Sequence, residues 1–600
     1  MKAREGENTR SASKAWVRAL SSTASLATDA APCLPLLLEQ LAERYGAAEA
    51  LTSTRGTLSY RALAQSAWRY ARWGLAQGLG SGDVVALLMP NCPEYLAIWL
   101  GLTRIGAVVA LLNTHIGGSV LAHCIRIVAP RATLVDRSLL AGAAAAREAL
   151  PAALQWYVIG ENAPGFKRVD LQAAQAADAS LSAIECAAPP LAAPALYIYT
   201  SGTTGMPKAA IVSHRRVAQW SHWFAGMLDI RPRDRMYNCL PMYHSIGGVV
   251  ASCSPLVAGA SVVVRERFSA RDFWHDVVHE RCTLFQYIGE LCRYLLAQPS
   301  DPLERAHSLR LACGNGLRAG VWEAFQQRFA IPQILEYYAS TEGNFSLYNC
   351  EGRPGAIGRI PPFLSHRLPV ALIAHDEISG APARDSAGHC RRVALTEIGE
   401  AIGAIQTGAQ ATGRFEGYAD PEATERKILR DVFSAGDAWY RTGDLMRQDE
   451  QGYFYFVDRV GDTFRWKGEN VSTIEVAGIL AGCSGVRDAA VYGVTVPGTE
   501  GRAGMAALVV DESFDPQQLH RQLAAALPAY ACPLFLRIVP MIAITGTFKL
   551  NKQALMQQGY DPAGAAHSGE ALYFADRAAG SYVPLDSTLH ARLLSGQLRL

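Results

Sequence analysis

The chain has 600 residues, of which 50% are hydrophobic and 18% are charged, and its formal net charge is +2. This length and apolar content predict a large globular protein with several subdomains. The balanced charge, without a basic run interleaved with aromatic residues, argues against a nucleic-acid partner. The 13 cysteines contain no C-x-x-C pair, which argues against zinc and disulfide frameworks and favours reduced thiols in a cytosol.

The first 30 residues are basic and rich in serine and alanine, without an apolar core long enough for a signal peptide. We expect residues 1–30 to form a disordered or weakly amphipathic tail. The most apolar long region, 84–112, is interrupted by Pro90, Pro93 and Arg104. A buried strand-turn-helix fits it better than a bilayer span, which needs about 20 mostly apolar residues. We therefore expect a cytoplasmic protein whose membrane contact, where it occurs, is peripheral and at the inner face of the plasma membrane.

Short apolar runs alternate with helical patterns through the first half of the chain. The runs predicted as strands are 83–88, 133–136, 156–159, 197–199 and 261–264. Such alternation is typical of βα units, so the sequence predicts an α/β fold with parallel-rich sheets and flanking helices.

The most informative stretch follows the run at 197, where a strand breaks into a loop rich in hydroxyls and glycine. Its residues are Thr200, Ser201, Gly202, Thr203, Thr204, Gly205 and, at the end, Lys208. Hydroxyl donors, glycines that allow close backbone approach and one compact positive charge suit a polyphosphate ligand. The loop is not a Walker A motif, because Ala209 follows the lysine where a hydroxyl would bind magnesium. Taken alone, an ordinary surface loop is the alternative interpretation.

Further segments with polar chemistry follow in a fixed order. They read Pro-Met-Tyr-His-Ser at 241–245, Tyr-Ala-Ser-Thr-Glu-Gly-Asn at 338–344, Tyr-Arg-Thr-Gly-Asp at 440–444, Asp-Arg-Val-Gly-Asp at 458–462 and Thr-Gly-Thr-Phe-Lys at 545–549. Together with the hydroxyl-rich loop, this set resembles the adenylate-forming superfamily, which includes acyl-CoA synthetases, luciferases and the adenylation domains of peptide synthetases.

The resemblance implies two half-reactions: a carboxylic acid and ATP·Mg²⁺ give acyl-AMP and pyrophosphate, and CoA then displaces AMP. Joining a carboxylate to a phosphate brings two anions together, so the site must neutralise charge and hold the attacking oxygen in line. The resemblance assigns this catalysis to Lys549, Thr341 and Glu342. It also makes Glu342 the magnesium ligand, in keeping with the preference of Mg²⁺ for carboxylate oxygen.

The same resemblance assigns the other ligand contacts. The hydroxyl-rich loop binds phosphate, Gly314, Asn315 and Gly316 line the purine pocket, Tyr338 stacks on adenine, Asp444 with Arg459 binds ribose, His244 and Trp220 contact the acyl group, and Lys467, Gly468 and Glu469 form the CoA tunnel. For Asp444 a turn cap, and for Arg459 a surface ion pair, are the plain alternatives.

The resemblance also predicts the domain organisation: a large AMP-binding domain at 31–458, a hinge at 459–462 and a small, mobile α+β domain at 463–600. Gly461 suits the hinge because both signs of φ are open to glycine.

Two details resemble the branch of very-long-chain acyl-CoA synthetases and fatty acid transport proteins. One is Gly343-Asn344 directly after the glutamate; the other is the run 463–473 together with 546–550. Long or very long fatty acids are the expected substrates, and uptake coupled to activation is the expected setting. A steroid or bile-acid side-chain ligase, a lipid-uptake component with little catalysis, a luciferase-like oxygenase and a peptide-synthetase module remain alternatives.

Overall fold

The computed structural model describes residues 12–28, 31–200, 206–375, 381–406, 414–460, 462–467, 469–499, 501–543, 552–576, 578–595 and 597–598. The chain divides into two compact units. The first contains the residues up to 370 with 403–430 and 437–440, and the second contains 371–402, 431–436 and 441 onward. This division differs from the predicted boundary at 458, because the strand Phe454–Arg459 pairs with the segment around Asp444 in the second unit.

A seven-stranded sheet of the first unit carries the hydroxyl-rich loop at its edge. Its strands are, in spatial order, Lys167–Arg168, Gln155–Ile159, Ala132–Asp136, Val84–Leu88, Val108–Leu111, Pro194–Thr200 and Lys208–Ser213. All neighbours are parallel except the last pair, which is antiparallel. The central strands read as continuous apolar runs because both faces of a parallel sheet are covered by helices.

An eight-stranded sheet forms the other half of this unit. Its strands are, in order, Leu347–Asn349, Ile334–Tyr338, Leu311–Asn315, Leu284–Ile288, Arg235–Asn238, Ser261–Val264, Glu49–Ser53 and Gly56–Ser59. The inner pairs are parallel and the two outer pairs antiparallel. The five predicted strands all exist, within a few residues of the predicted bounds, and the expected parallel-rich α/β fold is confirmed.

Helices cover both sheets. Those of the first unit are Ala12–Thr23, Leu34–Tyr45, Tyr60–Ala76, Pro93–Arg104, Gly118–Val128, Leu140–Glu148, Val169–Ala174, His214–Met227, Ala251–Val257, Phe273–His279, Gly289–Leu296, Ala319–Phe329 and Pro421–Glu425, with a π-helical turn at Ile246–Val250. The apolar region 84–112 is the expected buried strand, helix and strand. Among the described residues, no helix is both long and apolar enough to cross a bilayer.

Three strands contain residues that belong to both units: Val370–Ile373, Ile398–Ala404 and Ala438–Gln448. In the first unit, Ile428–Arg430 pairs antiparallel with the start of the last of these strands. In the second unit, Phe454–Arg459 pairs antiparallel with its end.

The second unit has an α+β architecture with its own apolar core. Its five-stranded sheet consists, in order, of Val486–Val494, Ala503–Val510, Phe535–Ile538, Ala571–Asp576 and Ser581–Pro584, and the hairpin Phe464–Trp466 with Glu469–Val471 precedes it. Its helices are Thr473–Ala481, Pro516–Ala526, Lys552–Gln558, Pro562–His567 and Ser587–Leu594.

The cysteines, all of which lie in the described ranges, are thiols that belong to the core. Ten are buried, and Cys186, Cys483 and Cys532 are half-buried. Burial raises the pKa of the Cys124 thiol to about 12. None of the 13 takes part in a disulfide, as the scattered spacing predicted.

The expected N-terminal tail is helical and packed in its described part. The N-terminal helix Ala12–Thr23 continues into a 3₁₀ turn, Ala24–Ala27, and packs against the helix His214–Met227. Trp16 is 1% exposed and Leu26 is 3% exposed. A short helix of this composition is marginal in isolation, so tertiary packing of a few apolar side chains decides its state.

The contact between these two helices depends on Gly226. A Cβ at this position would lie 2.7 Å from the carbonyl oxygen of Arg18 and 2.8 Å from the Cα of Ala19. Arg18 Nε donates a 3.0 Å hydrogen bond to the Gly226 carbonyl. Only a residue without a side chain allows this backbone approach.

Gly226→Ala should therefore lower the free energy of unfolding by about 1–3 kcal/mol, because the added methyl overpacks the helix contact. The matched control is Gly142→Ala, at an exposed helical position with nothing within 4 Å of the new Cβ. It should stabilise the chain by roughly 0.5–1 kcal/mol through helix propensity. Urea unfolding measures both, and equal changes in the two variants would contradict the packing argument.

Candidate active site

The described ends of the hydroxyl-rich loop are held opposite each other. Thr200 ends one strand and Lys208 begins the next, and the two are register partners in an antiparallel pair. The Lys208 ammonium lies 5.6 Å from the centroid of the Tyr418 ring. The edge of the seven-stranded sheet therefore presents a positive charge and a hydroxyl side by side, as a phosphate-binding loop requires.

Tyr418 connects this loop to the Thr-Glu segment. Its hydroxyl donates a 2.9 Å hydrogen bond to Glu342 Oε1. Burial, and then the negative charge of Glu342, raise the Tyr418 pKa, while a side-chain hydrogen bond with Thr200 acts in the opposite direction. Three segments far apart in sequence thus meet at one buried phenol, which is 5% exposed.

Sequence reasoning missed Tyr418. It lies outside the motifs, although Asp420-Pro421 is a clear helix start and places it in the turn directly before that helix. The backbone of this turn pairs with the strand Lys208–Ser213: Ala419 N–H donates to the Ala209 carbonyl at 2.8 Å. The local signal predicted an ordered turn but not its partner.

Thr341 is fixed by the start of the helix His214–Met227. Arg216 is 6% exposed and donates hydrogen bonds to the carbonyls of Thr341 at 3.1 Å and Arg414 at 2.8 Å. It also lies 3.5 Å from Glu416, which accepts hydrogen bonds from the backbone and hydroxyl of Ser213. A buried ion pair is tolerated when its remaining donors are satisfied, as they are here.

The segment with His244 adjoins the same threonine. Ser245 Oγ and Thr341 Oγ1 are hydrogen-bonded at 3.0 Å. The His244 carbonyl accepts from the Gly248 N–H at 2.7 Å and begins the π-helical turn. Trp220 lies one turn after Arg216, whose guanidinium is 5.8 Å from the indole centroid. In the first unit, Thr341 and Trp220 therefore both contact Arg216 near the start of this helix, and Ser245 contacts Thr341.

The predicted purine residues lie at the carboxyl ends of neighbouring parallel strands. Gly314 and Asn315 end one strand, and Tyr338 ends the next. Ligands of open α/β sheets bind at such edges. Gly316 follows with φ +79°, a conformation that favours glycine. The Tyr338 ring is 5.9 Å from that of Phe345 and remains partly exposed.

A buried carboxyl group, Glu336, orients this purine segment and was not predicted. Its Oε1 accepts the Leu317 N–H at 3.0 Å, and its Oε2 accepts the Tyr287 hydroxyl at 2.5 Å. Burial raises the Glu336 pKa to about 8, although its hydrogen bonds act in the opposite direction. The side chain is therefore largely protonated at neutral pH and supports the turn at Gly316 without a charge.

In the second unit, the predicted ribose residues form a pair. Asp444 and Arg459 are cross-strand partners, with Arg459 Nε 3.4 Å from Asp444 Oδ1. Asp444 is 9% exposed and Arg459 is half-buried. The Asp444 backbone N–H donates to Thr442 Oγ1 at 2.9 Å, and Gly443 has φ +79°. The carboxylate thus lies on a strand whose backbone is locally fixed at residues 442–444.

Glu400 fixes the backbone of this part of the strand. It is fully buried and accepts hydrogen bonds from Arg441 Nε at 2.8 Å and from the Gly443 N–H at 3.0 Å. The predicted hinge segment is anchored nearby by Asp458, which accepts from the backbone and hydroxyl of Thr473. Burial raises the Asp462 pKa, and the positive charge of Lys552 opposes that rise.

The predicted CoA residues lie on the hairpin of the second unit. Lys467 has φ +54° at its turn, and Glu469 pairs with Trp466. Both Lys467 and Glu469 are exposed. Beside the hairpin lies a mainly apolar cavity of about 190 Å³, lined among others by Trp466, Lys467 and Tyr582.

Several predicted site residues lie outside the described residues. They are Ser201, Gly202, Thr203, Thr204, Gly205, Gly461, Gly468 and Lys549. Among the residues that are described, no group of three or more His, Cys, Asp or Glu side chains could hold a metal by itself. Glu342 as a single carboxylate fits Mg²⁺ that arrives with nucleotide phosphates, because such magnesium takes one or two protein carboxylates.

Glu336 makes stability pH-dependent. Its pKa is higher in the folded than in the unfolded chain, so folding takes up a proton, and the contribution is lost as pH rises through about 8. In wild type, this group lowers the free energy of unfolding by up to ~1.4 kcal/mol per pH unit as pH rises from the pKa of an unfolded glutamate toward 8. Glu336→Gln should lack this pH dependence, because glutamine does not titrate. Unfolding by urea at several pH values measures this difference. The exposed control Glu323→Gln should keep the wild-type slope; a wild-type slope in Glu336→Gln would contradict the assignment.

Comparison with known proteins agrees with this geometry. The AMP-binding enzyme family matches residues 38–368, and the AMP-binding enzyme C-terminal domain matches residues 475–549. Long-chain fatty acid transport protein 1 of Mus musculus is 43% identical over 532 residues, which cover 87% of this chain and 81% of that protein.

Solved structures share the fold. The anthranilate CoA ligase AuaEII in complex with anthranoyl-AMP has a TM-score of 0.75 at 21% identity, over 90% of this chain and 98% of its own. ATP-bound MatB from Rhodopseudomonas palustris has a TM-score of 0.73 at 24% identity, over 87% and 98%. The chain therefore belongs to the adenylate-forming AMP-binding enzymes, in the branch that contains the long-chain fatty acid transport proteins.

Proposed function

We propose that this member of the AMP-forming ligases activates long- or very-long-chain fatty acids to acyl-AMP and then to acyl-CoA, coupled to fatty acid uptake. The observation that carries the proposal is the junction at Tyr418, where Lys208, Thr200 and Glu342 meet. This junction combines a lysine cation, hydroxyl groups and a carboxylate that can bind magnesium. Such a set suits a nucleoside triphosphate. The names of the 40–43% identical relatives support a long-chain fatty acid as the acid substrate.

The residues have the following proposed roles. Lys208 and the hydroxyl-rich loop bind phosphate, Thr341 donates to phosphate, and Glu342 would hold magnesium, which would neutralise phosphate charge. Lys549 bridges the carboxylate and the α-phosphate in the first half-reaction. Such positioning and charge neutralisation supply most of the catalysis in phosphoryl chemistry. No enzyme nucleophile is needed.

The other ligands follow the same assignment. Asp444, on its strand beside Arg459, accepts hydrogen bonds from ribose hydroxyls. Tyr338 stacks on adenine, and His244 with Trp220 contacts the acyl group. Lys467, Gly468 and Glu469 contact CoA in the second half-reaction, after rotation at Gly461. A steroid or bile-acid side chain is the alternative acid.

Mixing the protein with ATP·Mg²⁺, CoA and a series of carboxylic acids tests the proposal. Palmitate and longer straight-chain acids should release AMP and pyrophosphate and form acyl-CoA, and omission of the acid should abolish AMP release. A preference for bile acids would favour the steroid alternative. Binding of fatty acid without AMP release would instead favour a lipid-uptake component with little catalysis.

Tyr418→Phe separates the two half-reactions. Loss of the hydrogen bond to the Glu342 carboxylate should lower carboxylate-dependent pyrophosphate exchange by about ten- to a hundredfold, since such bonds contribute ~1.5–3 kcal/mol. Conversion of supplied acyl-AMP to acyl-CoA should change little, because magnesium and pyrophosphate have already left.

The matched control is Tyr455→Phe, which removes another tyrosine–carboxylate hydrogen bond, to Asp449 at 3.0 Å. It should leave both half-reactions unaffected. Equal losses of both half-reactions in Tyr418→Phe would contradict the role given to this hydroxyl.

A further inference from the structure

The N-terminal helix covers an aromatic cluster formed by Trp16, Trp223, Phe224, Tyr337 and Tyr348. The Trp16 ring stands edge-on to Trp223 and Tyr348, with centroids 5.7 and 5.4 Å away. Phe224 lies 4.9 Å from Tyr337 and 5.8 Å from Tyr348. Trp16 is thus the contribution of the N-terminal helix to a cluster whose other members come from the helix His214–Met227 and the two strands at the purine edge.

One face of the helix His214–Met227 joins this cluster to the candidate site. Arg216, Trp220, Trp223 and Met227 recur at the three- and four-residue spacing of a single helix face. Arg216 donates to the Thr341 carbonyl at one end, and Met227 contacts Cys350 at the other, with 3.4 Å between the sulfur atoms. At 1.5 Å per residue the face is about 16 Å long.

This face is apolar beyond Arg216 but incompletely covered by protein. Trp220 and Trp223 pack against the core and yet remain partly exposed, whereas Trp16 at the far end is 1% exposed. Partly accessible indole rings that continue from a catalytic threonine are a suitable surface for a long apolar substituent. Trp16 is the large side chain that closes the surface at its distal end.

The N-terminal helix lies before the segment matched by the family, which begins at residue 38. Its attachment is nevertheless firm. Besides the close approach at Gly226, Arg18 lies 3.8 Å from Asp229, and the buried Arg215 donates to the Leu26 carbonyl. A helix held by backbone contacts can limit the length of a bound acyl chain, whereas a loosely attached tail cannot.

We propose that Trp16 forms the distal wall of the acyl site and limits the length of the straight acyl chain that this protein accepts. The inference rests on the proposed function and deepens it, because it assigns chain-length specificity to a residue outside the matched family. Removing the indole ring leaves space that additional methylene groups can fill, and each methylene in an apolar pocket changes specificity by about tenfold or more.

The test measures kcat/KM for straight-chain acids from octanoate to lignocerate with wild type, Trp16→Ala and Trp16→Phe. In Trp16→Ala the chain length with the highest kcat/KM should increase. The kcat/KM for the longest acid, divided by the kcat/KM for the acid that wild type prefers, should rise by about tenfold or more. Trp16→Phe should shift it in the same direction by less, and it carries the test if the alanine variant does not fold. KM for ATP should stay unchanged, which distinguishes a specificity role from general damage.

Leu26→Ala is the matched control, because Leu26 is 3% exposed in the same segment but outside the aromatic cluster. It should lower thermal stability and keep the wild-type chain-length profile. An unchanged profile in both Trp16 variants would overturn the proposal. So would an equal shift in Leu26→Ala, because the profile would then follow loosening of the segment and not the indole.

The outcome also separates this proposal from the proposed function. Wild type that releases no AMP with any acid would overturn the proposed function alone, and Trp16 is then tested by thermal shift with the same acids. If the acid that binds best is longer in Trp16→Ala than in wild type, the result supports Trp16 as the distal wall. If the best-binding acid is the same in both, the result overturns that role.

Discussion

The hydrogen bond from Tyr418 to Glu342 is the interaction on which the candidate site depends. It joins the strand pair that carries the hydroxyl-rich loop to the Thr-Glu segment, two segments that are far apart in sequence. Charge near this junction is compensated: Lys208 lies over the Tyr418 ring, and Arg216 is paired with Glu416. Fixed, paired groups of this kind need no reorganisation when a charged ligand arrives, which is the physical basis of electrostatic catalysis.

The second unit follows the same rule. Asp444 lies on a strand whose backbone at Gly443 is held by the buried Glu400, and Glu400 is itself paired with Arg441. Each predicted ligand-binding carboxylate is thus supported by a residue with no expected role of its own. In the first unit Glu336 has the corresponding position behind the purine segment, where burial keeps it protonated at neutral pH.

Periodicity and motifs were sufficient to predict the parallel-rich α/β fold, and the site residues they indicate stay a prediction. The strand at 261–264 was predicted with its observed bounds because three consecutive valines follow the turn residue Gly259 and precede the charged residues from Arg265. Tyr418, Arg216 and Glu336 were not predicted, because their hydrogen-bond partners are 19 to 198 positions away and no local pattern encodes such pairs. The packing of the N-terminal helix was not predicted for a related reason: it depends on Trp16 and on Gly226 of another helix, and not on the propensity of the helix itself.

The burial of the cysteines has a consequence for their redox chemistry. A disulfide exchanges only with a thiolate, and burial keeps groups such as Cys92 and Cys124 protonated, with pKa values raised to about 12. None of the 13 cysteine side chains is exposed, and ten are buried. Buried thiols of this kind are poor partners for thiol–disulfide exchange, which protects the core from mixed disulfides.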